Sequence, residues 1–173
     1  MSDIKEKEET KSKNIVREYA PYVVALIVII LLKIYIVTPI RVNGASMNTT
    51  LKDGDIMILN IIGLRFEEIE RFDIVVVKTD NDLIIKRVIG LPGETIEYKD
   101  NVLYVDGKKI EENYGSKKTA DFKKYVPKGS YFVLGDNRTN SLDSRSFGPF
   151  KKEKIVGKTS LTIFPFSRIG NKK

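Results

Sequence analysis

Ser46 is the first residue of the chain whose type and setting could support covalent chemistry. It follows two small residues, Gly44 and Ala45. Small residues let a substrate backbone approach closely and leave backbone N–H groups free to face an oxyanion. A serine nucleophile needs a base, and the chain contains no histidine and no cysteine. If Ser46 is catalytic, its base must be a lysine or a carboxylate. The alternative is that Ser46 is an ordinary turn residue.

Lys86 is the residue best suited to be that base. The apolar run 84–89 predicts a strand, on which Lys86 and Arg87 point to opposite faces. Two neighbouring cations on an otherwise apolar strand indicate that at least one is partly buried. Burial lowers the pKa of a lysine from about 10.4, and a base that works near neutrality needs a value lower by roughly 2 to 3. Arginine stays protonated and cannot serve. The alternative is a lysine on an edge strand that reaches solvent.

A third group of polar residues lies in the segment 135–145, directly after an apolar strand. Asp136 and Asp143 can pair with arginines and thereby hold the loop in one geometry. Ser141 or Ser144 could hydrogen-bond a neutral lysine amine and orient its lone pair. The alternative is a polar turn with a surface ion-pair network, which contributes little to stability.

The elements that must position these residues are predicted to be strands, so the expected fold class is mostly β. Residues 38–173 are predicted to form one compact domain. Short β-branched runs bounded by Gly, Asp and Asn indicate strands near 55–60, 73–78, 83–89, 95–98, 102–105, 131–134 and 155–164. A short helix is predicted over 64–71, and the lysine-rich stretch 111–130 is predicted to be a surface loop.

A membrane anchor is predicted over residues 19–37. This stretch has one charge, Lys33, and as a helix it would span about 28 Å at roughly 1.5 Å per residue. It shows no polar face, which argues against a buried core helix, and its length argues against a cleavable signal peptide. The charged tail 1–18 carries more Lys and Arg than the opposite flank. We therefore expect a cytoplasmic tail and an extracytoplasmic domain over 38–173.

Composition narrows the possible partners and cofactors. With no cysteine and no histidine, disulfides and a zinc site are not expected, and no cofactor is predicted. The formal net charge of +7 is compatible with attraction to anionic lipid head groups or with ordinary solubility. Nucleic acid is not an expected partner, because no basic stripe alternates with stacking aromatics.

The polar segments, in this order behind an apolar N-terminal stretch, resemble the type I signal peptidases. These serine proteases remove signal peptides from exported proteins. Gly44-Ala-Ser-Met is similar to the nucleophile motif of the family, and Asp73-Ile-Val-Val-Val resembles one of its strands. Lys86-Arg-Val-Ile-Gly-Leu-Pro-Gly-Glu is similar to the general-base motif. Gly135-Asp-Asn-Arg-x-x-Ser-x-Asp-Ser-Arg145 resembles the last motif at every defining position.

The resemblance implies a role for each of these residues. Ser46 would be the nucleophile, Lys86 its general base, and Ser141 the residue that orients the lysine. The backbone N–H of Ser46 would form part of the oxyanion hole. Two ion pairs would hold the site together, Asp136 with Arg87 and Asp143 with Arg145. Shallow pockets for small substrate side chains at −1 and −3 would be lined near Ile40, Val42 and Ile85.

Three residues depart from the family pattern. In some members the residue two positions before the nucleophile supplies a hydroxyl to the oxyanion hole. Here that residue is Gly44, which makes the chain more similar to the short Gram-positive-type members. Thr49 replaces a proline, which is expected to loosen that turn, and Phe72 replaces a glycine. None of these changes removes a catalytic group.

The resemblance implies a membrane-anchored Ser/Lys endopeptidase that cuts signal peptides from exported preproteins at the bilayer. A self-cleaving repressor-type Ser/Lys peptidase is a weaker alternative, since those proteins carry a DNA-binding domain where this chain has its apolar stretch. A third alternative is a catalytically inactive anchored β-module that binds signal peptides or another partner. The distance between Ser46 Oγ and Lys86 Nζ discriminates between a Ser/Lys peptidase and an inactive module. A dyad requires roughly 2.6–3.2 Å.

Overall fold

A computed structural model describes residues 17–30, 38–61, 63–115 and 118–172. The chain divides into two compact units, Met1–Val37 and Thr38–Lys173. In the first unit, residues 17–30 form helix α1 with exposed side chains. Within the described residues, no helix combines the length and the apolar character needed to cross a bilayer. Residues 1–16 of the predicted tail and 31–37 of the predicted anchor lie outside the described residues, so the anchor stays a prediction.

The second unit is mostly β, as predicted. Its strands are β1 (Thr38–Arg41), β2 (Ile56–Asn60), β3 (Ile74–Lys78), β4 (Leu83–Gly90), β5 (Thr95–Lys99), β6 (Val102–Val105), β7 (Lys108–Ile110), β8 (Phe122–Tyr125), β9 (Ser130–Leu134), β10 (Phe150–Lys151), β11 (Ile155–Phe164) and β12 (Gly170–Asn171). Short helices occur at α2 (Gly63–Phe66) and α3 (Ser144–Phe147), and 3₁₀ turns at Lys152–Lys154 and Phe166–Arg168.

The strands form two antiparallel sheets. The larger sheet has the order β1-β2-β11-β3-β4-β9-β10, with β12 paired to β11, and the smaller has the order β7-β6-β5-β8. Two tight hairpins shape the smaller sheet, because Asp100, Asn101 and Asp106 adopt positive φ angles of 50°, 63° and 48°. Asp and Asn tolerate this left-handed conformation better than most residues. Lys99-Asp-Asn and Asp106-Gly107 are sequences typical of such hairpin turns.

The hydrophobic core consists of three clusters, and each supports part of the larger sheet. One joins the two sheets, one lies between β3, β4 and β9, and the third underlies β1 and the turn that follows it. Strand β4 is therefore an interior strand, with β3 on one side and β9 on the other. The two charged residues of β4 lie inside the molecule, since a central strand of a covered sheet has no solvent edge.

Two local predictions were wrong in part. The stretch 111–130 contains β8, which pairs with β5 from Thr95↔Tyr125 to Tyr98↔Phe122. Its sequence, Phe-Lys-Lys-Tyr, hides the strand because both lysines are exposed and only Phe122 is half-buried. The predicted helix over 64–71 is a single turn, Gly63–Phe66. A helix this short forms only where packing supports it.

Candidate active site

Ser46 and Lys86 lie in direct contact. Lys86 Nζ is 2.7 Å from Ser46 Oγ, although the two residues are 40 positions apart in the chain. A second contact joins Lys86 Nζ to the carbonyl oxygen of Ile85 at 3.0 Å. Lys86 is only 3% exposed, whereas Ser46 is half-buried. The distance meets the value expected for a Ser/Lys dyad, and the burial of Lys86 excludes an edge-strand lysine that reaches solvent.

The surroundings of Lys86 favour its neutral form. Burial lowers the pKa of the Lys86 ammonium to about 8, because removing a charge from water is costly. The negative charges of Asp143 and Asp136 act in the opposite direction and keep the pKa of Lys86 from falling further. An amine with a pKa near 8 is partly neutral at physiological pH, and only the neutral amine can accept a proton.

The turn that carries Ser46, residues 44–51, is hydrogen-bonded at both ends. Asn48 N–H donates to the carbonyl of Ala45, and the N–H groups of Thr50 and Leu51 donate to that of Met47. Gly44 has φ of +85° and donates its N–H to Asp53 Oδ1 at 2.7 Å. Thr49 has φ of +104°, a conformation closed to proline. Hydrogen bonds close the turn on either side of Thr49.

The loop after β9 is packed directly against this turn. Asn137 donates its N–H to the Ser46 carbonyl at 2.9 Å and its side-chain amide to the Ala45 carbonyl at 3.1 Å. A Cβ atom on Gly135 would lie 2.5 Å from the Ser46 carbonyl oxygen and would overlap Ser141 Oγ. Only a glycine allows so close an approach of the two backbones.

Asp143 organises the remainder of the loop. It forms an ion pair with Arg145 at 2.8 Å and accepts the Gly135 N–H at 3.1 Å. Burial alone would raise the pKa of Asp143, but the hydrogen bonds from Arg145 and Gly135 hold it below the usual value. The predicted pair of Asp143 with Arg145 is present. These bonds link the end of β9 to helix α3.

The two candidate orienting serines differ. Ser144 Oγ accepts the N–H of Val133 at 2.9 Å, so it serves the end of β9 rather than the lysine. Ser141 Oγ is buried against Gly135 and lies beside Asp143, where it helps to lower the pKa of that carboxyl. The structure thus leaves Ser141 beside the site without a bond to Lys86, and its orienting role stays a prediction.

Arg87 and Asp136 form a buried ion pair behind the dyad. Both side chains are fully buried, and Arg87 Nε and Nη2 donate to Asp136 at 2.9 and 2.8 Å. Thr50 Oγ1 donates to the same carboxylate at 2.5 Å, which joins the Ser46 turn to the pair. A bidentate pair with further partners is the arrangement in which buried charges are tolerated. The predicted pair of Asp136 with Arg87 is present.

Two aromatic residues cover this ion pair. The Arg87 guanidinium lies 3.9 Å from the centre of the Tyr114 ring, which in turn contacts Phe72 edge-on at 5.1 Å. Phe72 also accepts a hydrogen bond from Arg87 Nη1 through its carbonyl, and it adopts φ of +77°. That left-handed conformation agrees with the glycine that the family pattern has at this position.

The residues predicted to line the substrate pockets lie together. Ile40 and Ile85 are half-buried and pack on the cluster of Val42, Met47, Leu51, Met57 and Ile74. Val42 itself is 2% exposed, so its side chain belongs to the core beneath that surface. The role of these residues in binding substrate stays a prediction. Within the described residues, no cluster of acidic side chains could hold a metal ion.

Comparison with known proteins places the chain in a family. Residues 15–164 match the family described as signal peptidase, peptidase S26. Signal peptidase I V of Bacillus subtilis is 45% identical over 152 residues, which cover 78% of this chain and 90% of the relative. Signal peptidase IB of Staphylococcus aureus is 40% identical over 165 residues, which cover 83% and 86%. The chain therefore belongs to the type I signal peptidases of family S26, which are serine endopeptidases.

A solved structure is similar to part of the chain. The crystal structure of a signal peptidase I from Enterococcus faecalis matches with a TM-score of 0.50 and 38% sequence identity. The match covers 53% of this chain and 97% of that structure. The β fold of the chain is thus a signal-peptidase fold.

Proposed function

We propose that the chain is a membrane-anchored endopeptidase that cleaves N-terminal signal peptides from exported preproteins, with Ser46 as nucleophile and Lys86 as general base. The observation that carries this proposal is the 2.7 Å contact between Ser46 Oγ and the buried Nζ of Lys86. The pKa of Lys86, lowered to about 8, supports it, since a base must be neutral to act.

The reaction begins with neutral Lys86. As Ser46 Oγ attacks the scissile carbonyl carbon, its proton passes to Lys86 Nζ and the carbonyl oxygen becomes an oxyanion. The Ser46 backbone N–H stabilises that oxyanion. When the intermediate collapses, the C–N bond breaks and Lys86 returns the proton to the leaving amine. Lys86 then takes a proton from a water molecule as its oxygen attacks the ester carbon of the acyl-enzyme. When this second tetrahedral intermediate collapses, the bond between that carbon and Ser46 Oγ breaks, Lys86 returns the proton to Ser46 Oγ, and the new C-terminal carboxyl group is released.

The rest of the site keeps the dyad in position. The pair of Arg87 and Asp136 ties strand β4 to the loop after β9, and Thr50 ties the Ser46 turn to the same carboxylate. Asn137 holds the Ser46 carbonyl directly. Positioning of this kind lowers the barrier because the reacting atoms need not be brought together during the reaction.

The proposed substrate follows from the short distance between the predicted anchor and Ser46, and from the pocket residues. Ser46 lies nine residues beyond Val37, the last residue of the predicted anchor, and nine residues span at most about 32 Å. The site would stay close to the bilayer, where the cleavage site of a membrane-held signal peptide emerges. Ile40, Val42 and Ile85 would form the floor of shallow pockets that accept small side chains.

The proposal is tested with the full-length protein in detergent and one preprotein as substrate. Ser46→Ala is expected to reduce cleavage to background, and Lys86→Ala to reduce it by about 10²- to 10⁴-fold, as for loss of a general base. Lys78→Ala, an exposed lysine of the neighbouring strand β3, is the matched control and should cleave like the wild type. Wild-type rates for Lys86→Ala would contradict the dyad, and absence of cleavage by the wild type would favour a binding module.

A further inference from the structure

We propose that Arg168 is a positioning residue for Ser46, acting from the C-terminal end of the chain. Arg168 lies beyond residues 15–164, the segment that matches the signal peptidase family. The inference rests on the proposed function of Ser46, and adds a determinant of nucleophile geometry that the family motifs do not contain.

The C-terminal segment reverses direction and pairs with the larger sheet, which places Arg168 beside the Ser46 turn. After β11, the 3₁₀ turn Phe166–Arg168 reverses the chain, and β12 pairs with β11 through Leu161↔Asn171 and Thr162↔Gly170. Lys172 N–H then donates to the Ser160 carbonyl. The backbone on both sides of Arg168 is therefore held by hydrogen bonds, which fixes where its side chain begins.

Within the part of the chain that the structure describes, the hydrogen bonds of the Arg168 guanidinium go to the segment that follows Ser46. Its Nη2 atom donates to Asp55 Oδ2 at 3.0 Å and to the carbonyl oxygen of Thr50 at 3.3 Å. The Asp55 side chain is 2% exposed and that of Arg168 is 22% exposed. A charge-assisted bond to a buried carboxylate is stronger and more directional than an exposed ion pair.

Asp55 transmits this contact to the backbone of the turn. Its Oδ2 atom also accepts the N–H of Lys52 at 2.9 Å, and its own carbonyl accepts the N–H of Val42. Asp55 thus joins the strand that enters the Ser46 turn to the segment that leaves it. Arg168 neutralises the charge of that buried carboxylate and fixes its direction.

Thr50 is held from two sides by charged groups. Its hydroxyl donates to Asp136, part of the buried pair behind the dyad, and its carbonyl accepts from Arg168. The hydrogen bond from Thr50 N–H to the Met47 carbonyl closes the turn between Thr50 and Ser46. Because Lys86 lies on β4 and Ser46 on this turn, the distance between them depends on where Thr50 is held. Loss of Arg168 removes the hydrogen bond to the Thr50 carbonyl.

The test is steady-state kinetics of the full-length protein in detergent with a fluorogenic peptide substrate, together with thermal unfolding. Arg168→Ala is expected to lower kcat by about 10- to 100-fold, as a displacement on the order of 1 Å does, with KM within about twofold of wild type. Arg168→Lys retains the charge, but its shorter side chain is not expected to reach both the Asp55 carboxylate and the Thr50 carbonyl. Its kcat should therefore lie between those of Arg168→Ala and the wild type. Lys172→Ala, a cation of the same segment, is the matched control with wild-type kinetics.

A second pair of variants separates positioning from folding. Arg168→Ala leaves a buried carboxylate without its cation, whereas Asp55→Asn with Arg168→Gln removes both charges and keeps similar side-chain volumes. The proposal is supported if at least one of these two variants unfolds at the wild-type temperature and still has a lowered kcat. Wild-type kcat in folded Arg168→Ala overturns it, as does a fall in activity that only parallels the loss of folded protein.

The two proposals fail in different ways. If Ser46→Ala abolishes cleavage while folded Arg168 variants keep wild-type kcat, the dyad stands and the role of Arg168 is wrong. If Ser46→Ala cleaves like the wild type, the proposed function is wrong whatever the Arg168 variants do. A KM effect with unchanged kcat also overturns the positioning role, since it would place Arg168 in substrate binding.

Discussion

At the scale of the single residue, Lys86 shows how a fold lowers the pKa of a group that is normally a cation. Desolvation is the largest influence on its pKa, and it arises because β4 is an interior strand. The carboxylates of Asp143 and Asp136 oppose it, yet each is engaged by an arginine, which limits the negative charge that Lys86 experiences. The result is an amine that is neutral often enough to accept a proton and basic enough to keep it.

The pH dependence of cleavage follows from this pKa. If neutral Lys86 is the active form, as proposed, the rate should rise with pH, reach half its maximum near pH 8, and be about a tenth of the maximum at pH 7. The measurement is kcat/KM against pH with an uncharged peptide substrate, which reports the free enzyme. A rate that falls between pH 7 and 9, or does not change, would contradict the assignment of Lys86 as the base.

Asp143, whose negative charge raises the pKa of Lys86, provides a second test of whether Lys86 controls the pH profile. Asp143→Asn removes the charge that most strongly raises the pKa of Lys86. The midpoint of the pH profile should therefore move to lower pH, even if the loop change also lowers the maximal rate. A midpoint that stays in place or moves to higher pH would show that another group controls the profile.

At the scale of the element, strand β9 lies between two glycines, Gly129 in the turn before it and Gly135 beside the Ser46 turn. Gly135 at its end is confined between the Ser46 carbonyl and Ser141, whereas Gly129 at its start has φ of +74° and open space where a Cβ would lie. The two glycines serve different needs, close approach in one case and a left-handed turn in the other.

Substitution at these two glycines is expected to separate activity from stability. Gly135→Ala should lower kcat by about 100-fold, because the new Cβ displaces the Ser46 carbonyl, and should cost about 1–3 kcal/mol of stability. Gly129→Ala, the matched control, should cost about 1 kcal/mol through backbone strain and leave kcat unchanged. Kinetics and denaturant unfolding of both variants provide the measurement. Equal kcat in the two variants would contradict the role of Gly135 in placing Ser46.

Strands β2 to β6, β9 and β11 and the polar motifs were predictable from sequence because they depend on local patterns, whereas β8 was not. The run 84–89 indicates a strand with at least one partly buried cation, and the motif from Gly135 to Arg145 contains Asp136, Asp143 and Arg145. Thr50, Asn137 and Arg168 were not assigned a role, because their contacts join residues 86, 92 and 113 positions apart. Asn137 was within reach, since it lies inside that motif, whereas no local signal marks Arg168.

At the scale of the whole molecule, the proposed function requires the site and the substrate to lie at the same membrane face. The proposed substrate has its signal peptide in the bilayer, and the predicted anchor over 19–37 would hold the enzyme in the same bilayer. Residues 38–173 contain every residue proposed to take part in catalysis. The orientation of the anchor therefore decides whether the dyad meets preproteins on the side where they emerge.

The orientation can be tested directly because the chain contains no cysteine and gives no background labelling. Ser12→Cys places a thiol in the predicted cytoplasmic tail, and Lys128→Cys places one on the exposed turn before β9. With a membrane-impermeant maleimide on intact cells, Lys128→Cys should be labelled and Ser12→Cys only after the membrane is permeabilised, because Lys and Arg are retained on the cytoplasmic side. The reverse pattern would place Ser46 and Lys86 in the cytoplasm. Labelling of both in intact cells would mean that the tail is not cytoplasmic. Either result would contradict the predicted topology, even if the purified enzyme cleaves peptides.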